Sequence, residues 1–177
     1  MKNKTITVIG ATGSQGSGVV NALIKDGTYR VRAVSRNPDN YTGKADEVVK
    51  ADLTDLSTLT EAFKESHGVF VVTNFWEGAD EIAQGKIAIR AAKDAGVNHF
   101  IWSTLPNVEK ISNGKFTVPH FTGKALVDEL VKEAGFANYT FAQPPFYYQN
   151  LTGQMGAQTQ QDGSVGWTLP IDPKVKG

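Results

Sequence analysis

Gly10-Ala11-Thr12-Gly13-Ser14-Gln15-Gly16 carries three glycines at even spacing, followed by Ser17-Gly18-Val19-Val20. Such a run between a strand and a helix is suited to gripping an anion. The first glycine permits the tight turn, the second lets the backbone approach a pyrophosphate, and the third allows the helix to pack closely on the strand. The phosphates then face the helix N-terminus, where unpaired amides and the helix dipole favour negative charge. A triphosphatase loop is excluded, because Val19 stands where the phosphate-binding lysine would be needed. About twenty residues further on, a site for an unphosphorylated ribose usually places an acid. This chain instead reads Val34-Ser35-Arg36-Asn37. An arginine offers a planar fork of donors that matches a phosphate, whereas a carboxylate would repel one. Arg36, with Ser35 adding a hydroxyl donor, therefore points to a 2′-phosphorylated dinucleotide, NADP(H). Asp52-Leu53 is placed to flank an adenine, although Asp52 could equally cap a helix.

Elements that would position these residues are legible from apolar spacing. Thr5–Ile9, Arg30–Ser35, Glu47–Lys50, Gly68–Thr73, His99–Ser103 and Tyr139–Ala142 read as strands. Helices are expected over Gly18–Asp26, from an Asp55 or Ser57 cap through Glu65, over Asp80–Ala95, and over Pro119–Ala134. Strands alternating with helices imply crossover units and a parallel sheet covered on both faces. The expected fold is α/β, a Rossmann-type doubly wound parallel sheet in the order 3-2-1-4-5-6 with helices on both faces. A dinucleotide-binding domain over 1–150 would be followed by 151–177, the start of a truncated or incomplete C-terminal region rich in Gly, Gln and Thr.

Composition narrows the function classes. The 18 Lys+Arg balance 18 Asp+Glu in 177 residues, so neither a global nor a local field favours direct nucleic-acid binding. Zero cysteines exclude disulfides, thiolate metal sites and cysteine nucleophiles. His67, His99 and His120 are not spaced as a metal site, so no metal is expected. No apolar run of about 18 residues appears, and Met1-Lys2-Asn3-Lys4 leads straight into a strand pattern. A cytoplasmic place is expected, with a nuclear one also open.

Several islands, in order, resemble the NmrA-like family, an atypical branch of the short-chain dehydrogenase/reductase superfamily. They are Gly10–Gly16, Ser35-Arg36-Asn37-Pro38, Thr73-Asn74-Phe75-Trp76-Glu77, Gln84-Gly85-Lys86, Pro119-His120-Phe121-Thr122-Gly123-Lys124 and Phe146-Tyr147-Tyr148-Gln149-Asn150. The resemblance implies NADP(H) contacts from Ala11–Gly16 and Arg36 at the phosphates and from Asp52-Leu53 near the adenine. It places Thr73, Asn74 and Phe75 beside the cofactor, with Lys86 and Lys124 at its ribose or nicotinamide end. Tyr147, Tyr148, Gln149 and Asn150 would close over it. Without the resemblance, Lys86 reads as a solvated helix lysine, Phe75-Trp76 as core or interface aromatics, and the tyrosines as packing residues.

Reductases of that superfamily use a Tyr-x-x-x-Lys pair with a serine near the end of the fifth strand. Here Ser103 and Lys124 hold the serine and lysine positions, but the tyrosine position is His120. Residues four apart share a helical face, so His120 and Lys124 can share a site. Tyrosine, with an ordinary pKa of about 10, is a protonated hydroxyl at neutral pH, whereas histidine at about 6.5 is mostly a neutral ring and a poor proton donor. His120 is thus either the acid of an altered catalytic set or a structural residue bonded across the site. The leading expectation is a redox-sensing regulator in which NADP(H) orders loops around Asn74–Asp80 and Pro106–Thr117 for protein partners. The alternative is an NADPH-dependent oxidoreductase of a small carbonyl or quinone, and a third is a scaffold with a degenerate pocket.

Overall fold

A computed structural model describes residues 3–78, 80–152 and 155–167. The chain divides into two compact units, Met1–Pro144 and Pro145–Gly177. In the first, six parallel strands run β1 (Thr5–Val8), β2 (Arg30–Ser35), β3 (Glu47–Lys50), β4 (Ser66–Val71), β5 (His99–Ser103) and β6 (Asn138–Ala142). Their order is β3-β2-β1-β4-β5-β6, the doubly wound arrangement expected from the sequence. The order reverses between β1 and β4, which pair through Val8↔Phe70, so a crevice opens beyond the carboxyl ends of these two strands.

Helices α1 (Ser14–Asp26), α2 (Leu56–Phe63), α3 (Glu81–Asp94), the single-turn α4 (Val108–Ile111) and α5 (Pro119–Glu133) link the strands. Valines suit strands buried on both faces: Val8, Val31, Val69 and Val71 are wholly buried. One apolar cluster gathers Val69, Phe100 and Trp102 with Ala88 and Ala92 of α3 and Val127 and Val131 of α5. The other gathers Val8, Val31, Ala33 and Phe70 with Val20 of α1. Together they pack the sheet against its helices beneath the crevice.

Element boundaries depart from the sequence reading in instructive ways. Helix α1 begins at Ser14 rather than Gly18, because Gly13 takes the extended N-cap geometry and Gly16 already lies within the first turn. Asp55, not Ser57 and not Asp52, caps α2, accepting from the amides of Ser57 and Thr58. That helix stops at Phe63 because Lys64 turns to an extended ψ of 138°, and Glu65 follows with a left-handed φ of 59°. Asp80 lies outside α3 as its cap, accepting from Ile82 and Ala83. Strand β4 ends at Val71 instead of Thr73, whose side chain is drawn into another role below.

The second unit contains a 3₁₀ turn at Tyr148–Thr152 and an antiparallel pair, Gln158–Thr159 with Val165–Gly166. Neither was apparent in the Gly/Gln/Thr-rich sequence. Tyr147 and Asn150 are joined within this unit by a backbone bond of 3.0 Å, and Tyr148 is exposed. Gln149 accepts from the Thr152 hydroxyl.

Candidate functional site

The turn from β1 into α1 is shaped by what its glycines lack. Gly10 has φ of 71°, and a Cβ there would lie 2.6 Å from Val72 Cγ1, after β4. At Gly16 a Cβ would sit 2.1 Å from the Gly10 carbonyl oxygen, so any side chain would force the turn apart. The Gly13 amide donates to the Gly10 carbonyl at 2.9 Å, closing the turn. Ala11 and Gly16 are buried, while Thr12, Gly13 and Ser14 are exposed. The N-termini of α2 and α3 are capped by aspartates, but α1 has Gly13 as its cap, no side-chain cap bond and no acid in its first turn. Its positive end thus faces outward without a carboxylate of its own. Gln15 is held from behind: its Oε1 accepts from the Ser103 hydroxyl at 2.8 Å, tying the turn to the end of β5.

Beyond β2, Ser35 Oγ accepts from the Asn37 amide at 3.1 Å, leaving its hydroxyl proton to donate. Arg36 is 67% exposed and is already engaged. Its Nη1 donates to Glu77 Oε2 at 2.9 Å and its Nη2 to Glu77 Oε1 at 3.2 Å. Glu77 belongs to a 3₁₀ turn, Phe75–Glu77, that follows β4. Since β1 lies between β2 and β4, the ion pair spans the carboxyl end of β1, above the glycine turn. Asp52 is fixed locally: the hydroxyl and amide of Thr54 hold its carboxyl below the usual range, with Arg36 contributing. Leu53 packs against the core.

At the far end of the crevice stand the three candidate catalytic residues, and each has partners. Lys124 is buried; its ammonium donates to Thr73 O at 2.9 Å and Thr73 Oγ1 at 2.7 Å, and pairs with Glu81 Oε1 at 2.7 Å. Thr73 in turn donates its hydroxyl to Glu81 Oε1 at 2.6 Å. Three acceptors use the ammonium's three donors. Burial pushes Lys124 below the usual lysine range, and Glu81 acts against that shift. Trp102 lies alongside, its indole N–H donating to the Lys124 carbonyl and its ring 5.8 Å from the ammonium. The imidazole of His120 packs among aromatic rings, 5.6 Å from Phe75, 5.2 Å from Trp76 and 4.8 Å from Phe121. Ser103 gives its proton to Gln15. Lys86 is exposed on α3.

The fold therefore gathers Gly10–Gly16, Arg36, Asp52, Thr73, Asn74 and Phe75 about the ends of β1, β2, β3 and β4. Tyr147, Tyr148, Gln149 and Asn150 belong to the second unit. Sequence reasoning gave no role to Glu77 or Glu81. A buried lysine demands a counter-charge, so the acid pair Asp80-Glu81 at the start of a helix was the available signal for the second. Among the described residues no helix is long and apolar enough to cross a membrane, and no group of three or more His, Cys, Asp or Glu side chains is placed to hold a metal ion.

Comparison with known proteins places this geometry. An NmrA-like family domain-containing protein of Dictyostelium discoideum is 31% identical over 186 residues, covering 98% of this chain and 62% of that protein. An NmrA-like family domain-containing oxidoreductase of Aspergillus japonicus, himF, is 34% identical, covering 97% of this chain and 54% of that one. The crystal structure of NmrA, a negative transcriptional regulator, in complex with NADP superposes with a TM-score of 0.83 at 26% identity, over 99% of this chain and 56% of that one. NmrA in complex with NAD superposes equally well. The chain thus spans little more than half the length of these relatives. The model of the NmrA-like family matches residues 2–177, and the chain belongs to that family.

Proposed function

We propose that this chain is an NADP(H)-binding module whose output is a change in a protein-binding surface rather than turnover of a substrate. The observation that carries the reading is the contrast between the outward, uncapped N-terminus of α1 with Arg36 above it, and the reacting end, where Lys124 is already bonded to Glu81 and Thr73. The pyrophosphate lies on the amides of Ala11–Gly16, and Arg36 with Ser35 takes the 2′-phosphate. Thr73, Asn74 and Phe75 follow the cofactor toward its nicotinamide. In a reductase of the parent superfamily the lysine raises the acidity of a tyrosine; here it faces a carboxylate, and the tyrosine position holds an imidazole packed among aromatics. NmrA, a transcriptional regulator solved with both NADP and NAD, supports a regulatory role. A ligand shifts such a protein only through differential affinity for two states, so partner binding should depend on NADP(H), and a partner affinity unchanged across cofactor titration would reject the regulatory reading.

The oxidoreductase names of fungal relatives favour a second reading, reduction of a small carbonyl or quinone by NADPH with Ser103, His120 and Lys124 around the acceptor. One experiment separates the two. NADPH fluorescence titration should saturate, while the same preparation should not oxidise NADPH through many turnovers on a panel of carbonyls and quinones. Sustained turnover would establish the reductase, and lack of saturable binding to either dinucleotide would defeat both.

A further inference from the structure

We infer that Glu77 is a built-in competitor for the 2′-phosphate, so that NADP(H) must displace it from Arg36 whereas NAD(H) need not. The inference rests on the reading of Arg36 as the 2′-phosphate ligand. Glu77 meets the guanidinium with both carboxylate oxygens, at 2.9 and 3.2 Å, which is the fork-to-fork geometry a phosphate would use. A single guanidinium edge cannot serve both anions in that way. The carboxylate is held ready for this contact. Asn74 Nδ2 donates to Glu77 Oε1 at 3.1 Å, and Asn74 Oδ1 accepts the Trp76 amide at 3.2 Å, bracing the turn. Both partners are substantially exposed, so the pair is weakly held and open to exchange. A phosphate monoester carries about −1.5 to −2 charge at neutral pH against −1 for the carboxylate, which favours the exchange once the nucleotide is anchored by its pyrophosphate.

Displacement has a reach beyond Arg36. The same turn presents Phe75 and Trp76 to the His120 ring, and Trp76 is itself 77% exposed. A phosphate that repels Glu77 therefore pulls on the packing of His120 at the start of α5. A dinucleotide without the phosphate leaves the ion pair, the turn and that packing in place. The two cofactors would thus differ in the conformation they produce as well as in affinity.

The test is titration of the whole chain and its Glu77→Gln and Arg36→Gln variants with NADPH and with NADH, together with NMR of the His120 ring. Glu77→Gln should raise the preference for NADPH over NADH about two- to fivefold, as loss of an exposed competing ion pair implies. In the unmodified chain NADPH should move the His120 resonances and NADH should move them less. An unchanged preference in Glu77→Gln overturns the inference while leaving the Arg36 reading intact. A lowered preference also overturns it, since Glu77 would then be assisting the phosphate. Equal His120 shifts from both dinucleotides would remove the coupling. If Arg36→Gln fails to lower the preference, the Arg36 reading itself falls and takes the inference with it.

Discussion

The two ends of the crevice are built on opposite electrostatic plans. At the glycine turn, backbone amides and an exposed arginine face outward, and the competing carboxylate is tethered by a surface ion pair. At the other end, a lysine is buried against Thr73 and Glu81 under an indole ring. The first arrangement is an exposed ion pair, which under the inference above would exchange one anion for another. The second has already satisfied its charges, and a buried pair of that kind resists rearrangement because either partner alone would be left desolvated. On the function proposed above, ligand grip and reaction chemistry would be separable: the open end would hold the cofactor while the buried pair serves the framework.

Removing one member of the buried pair should have the largest effect. Lys124→Met leaves Glu81 buried beside Thr73 without its cation and should destabilise the fold by about 3–5 kcal/mol in denaturant titration. Replacing Glu81 by Leu in the same chain should recover much of that loss. A near-neutral Lys124→Met would mean that the lysine is available for ligand after all. Gly16→Ala comes next, because its new methyl would meet the Gly10 carbonyl. Stability should fall by about 1–3 kcal/mol, and NADPH binding should be lost in fluorescence titration. Retained binding would break the assignment of the turn. Arg36→Glu should cost NADPH about ten- to a hundredfold in affinity, the worth of a charge-assisted fork, with a much smaller effect on NADH. Equal losses for both would erase the distinction drawn at the open end.

The smallest effect is expected at Asp128 on α5, where burial raises the carboxyl above its ordinary range and Oδ1 has no hydrogen-bond partner among the described residues. A raised folded value means that its contribution is fully present below the ordinary value of 3.8 and is lost as pH rises through the folded value. Asp128→Asn should therefore raise the melting temperature slightly at pH 7, and the gain should vanish as pH falls toward 3.8. A gain independent of pH would point to packing instead of charge.

Much of the frame was legible because short β-branched runs alternate with longer stretches of helical spacing, with glycine and turn residues between them. Arg30–Ser35, Glu47–Lys50 and His99–Ser103 emerged with their observed limits. The glycine turn was readable because backbone clearance has few solutions: only the absence of a side chain fits Gly10 and Gly16. Partnerships across the fold were not readable. Arg36 and Glu77 are 41 positions apart, and neither residue's type announces that the other lies across β1. The Lys124–Glu81 pair left only a partial signal, the acid pair at the start of α3, since helical spacing puts Lys124 beside His120 but does not name the helix opposite. The pair at Gln158–Thr159 and Val165–Gly166 is too short to leave a periodic signal.

The Thr73–Lys124 bonds join positions 51 residues apart, and they close only when β4, α3 and α5 have all docked. Such a contact has a kinetic meaning. Loop closure over that length is unfavourable until neighbouring packing has formed, so the ammonium should be desolvated late, after the folding barrier. Weakening it should then accelerate unfolding while leaving the refolding rate nearly untouched, making this knot a determinant of how long the native state persists.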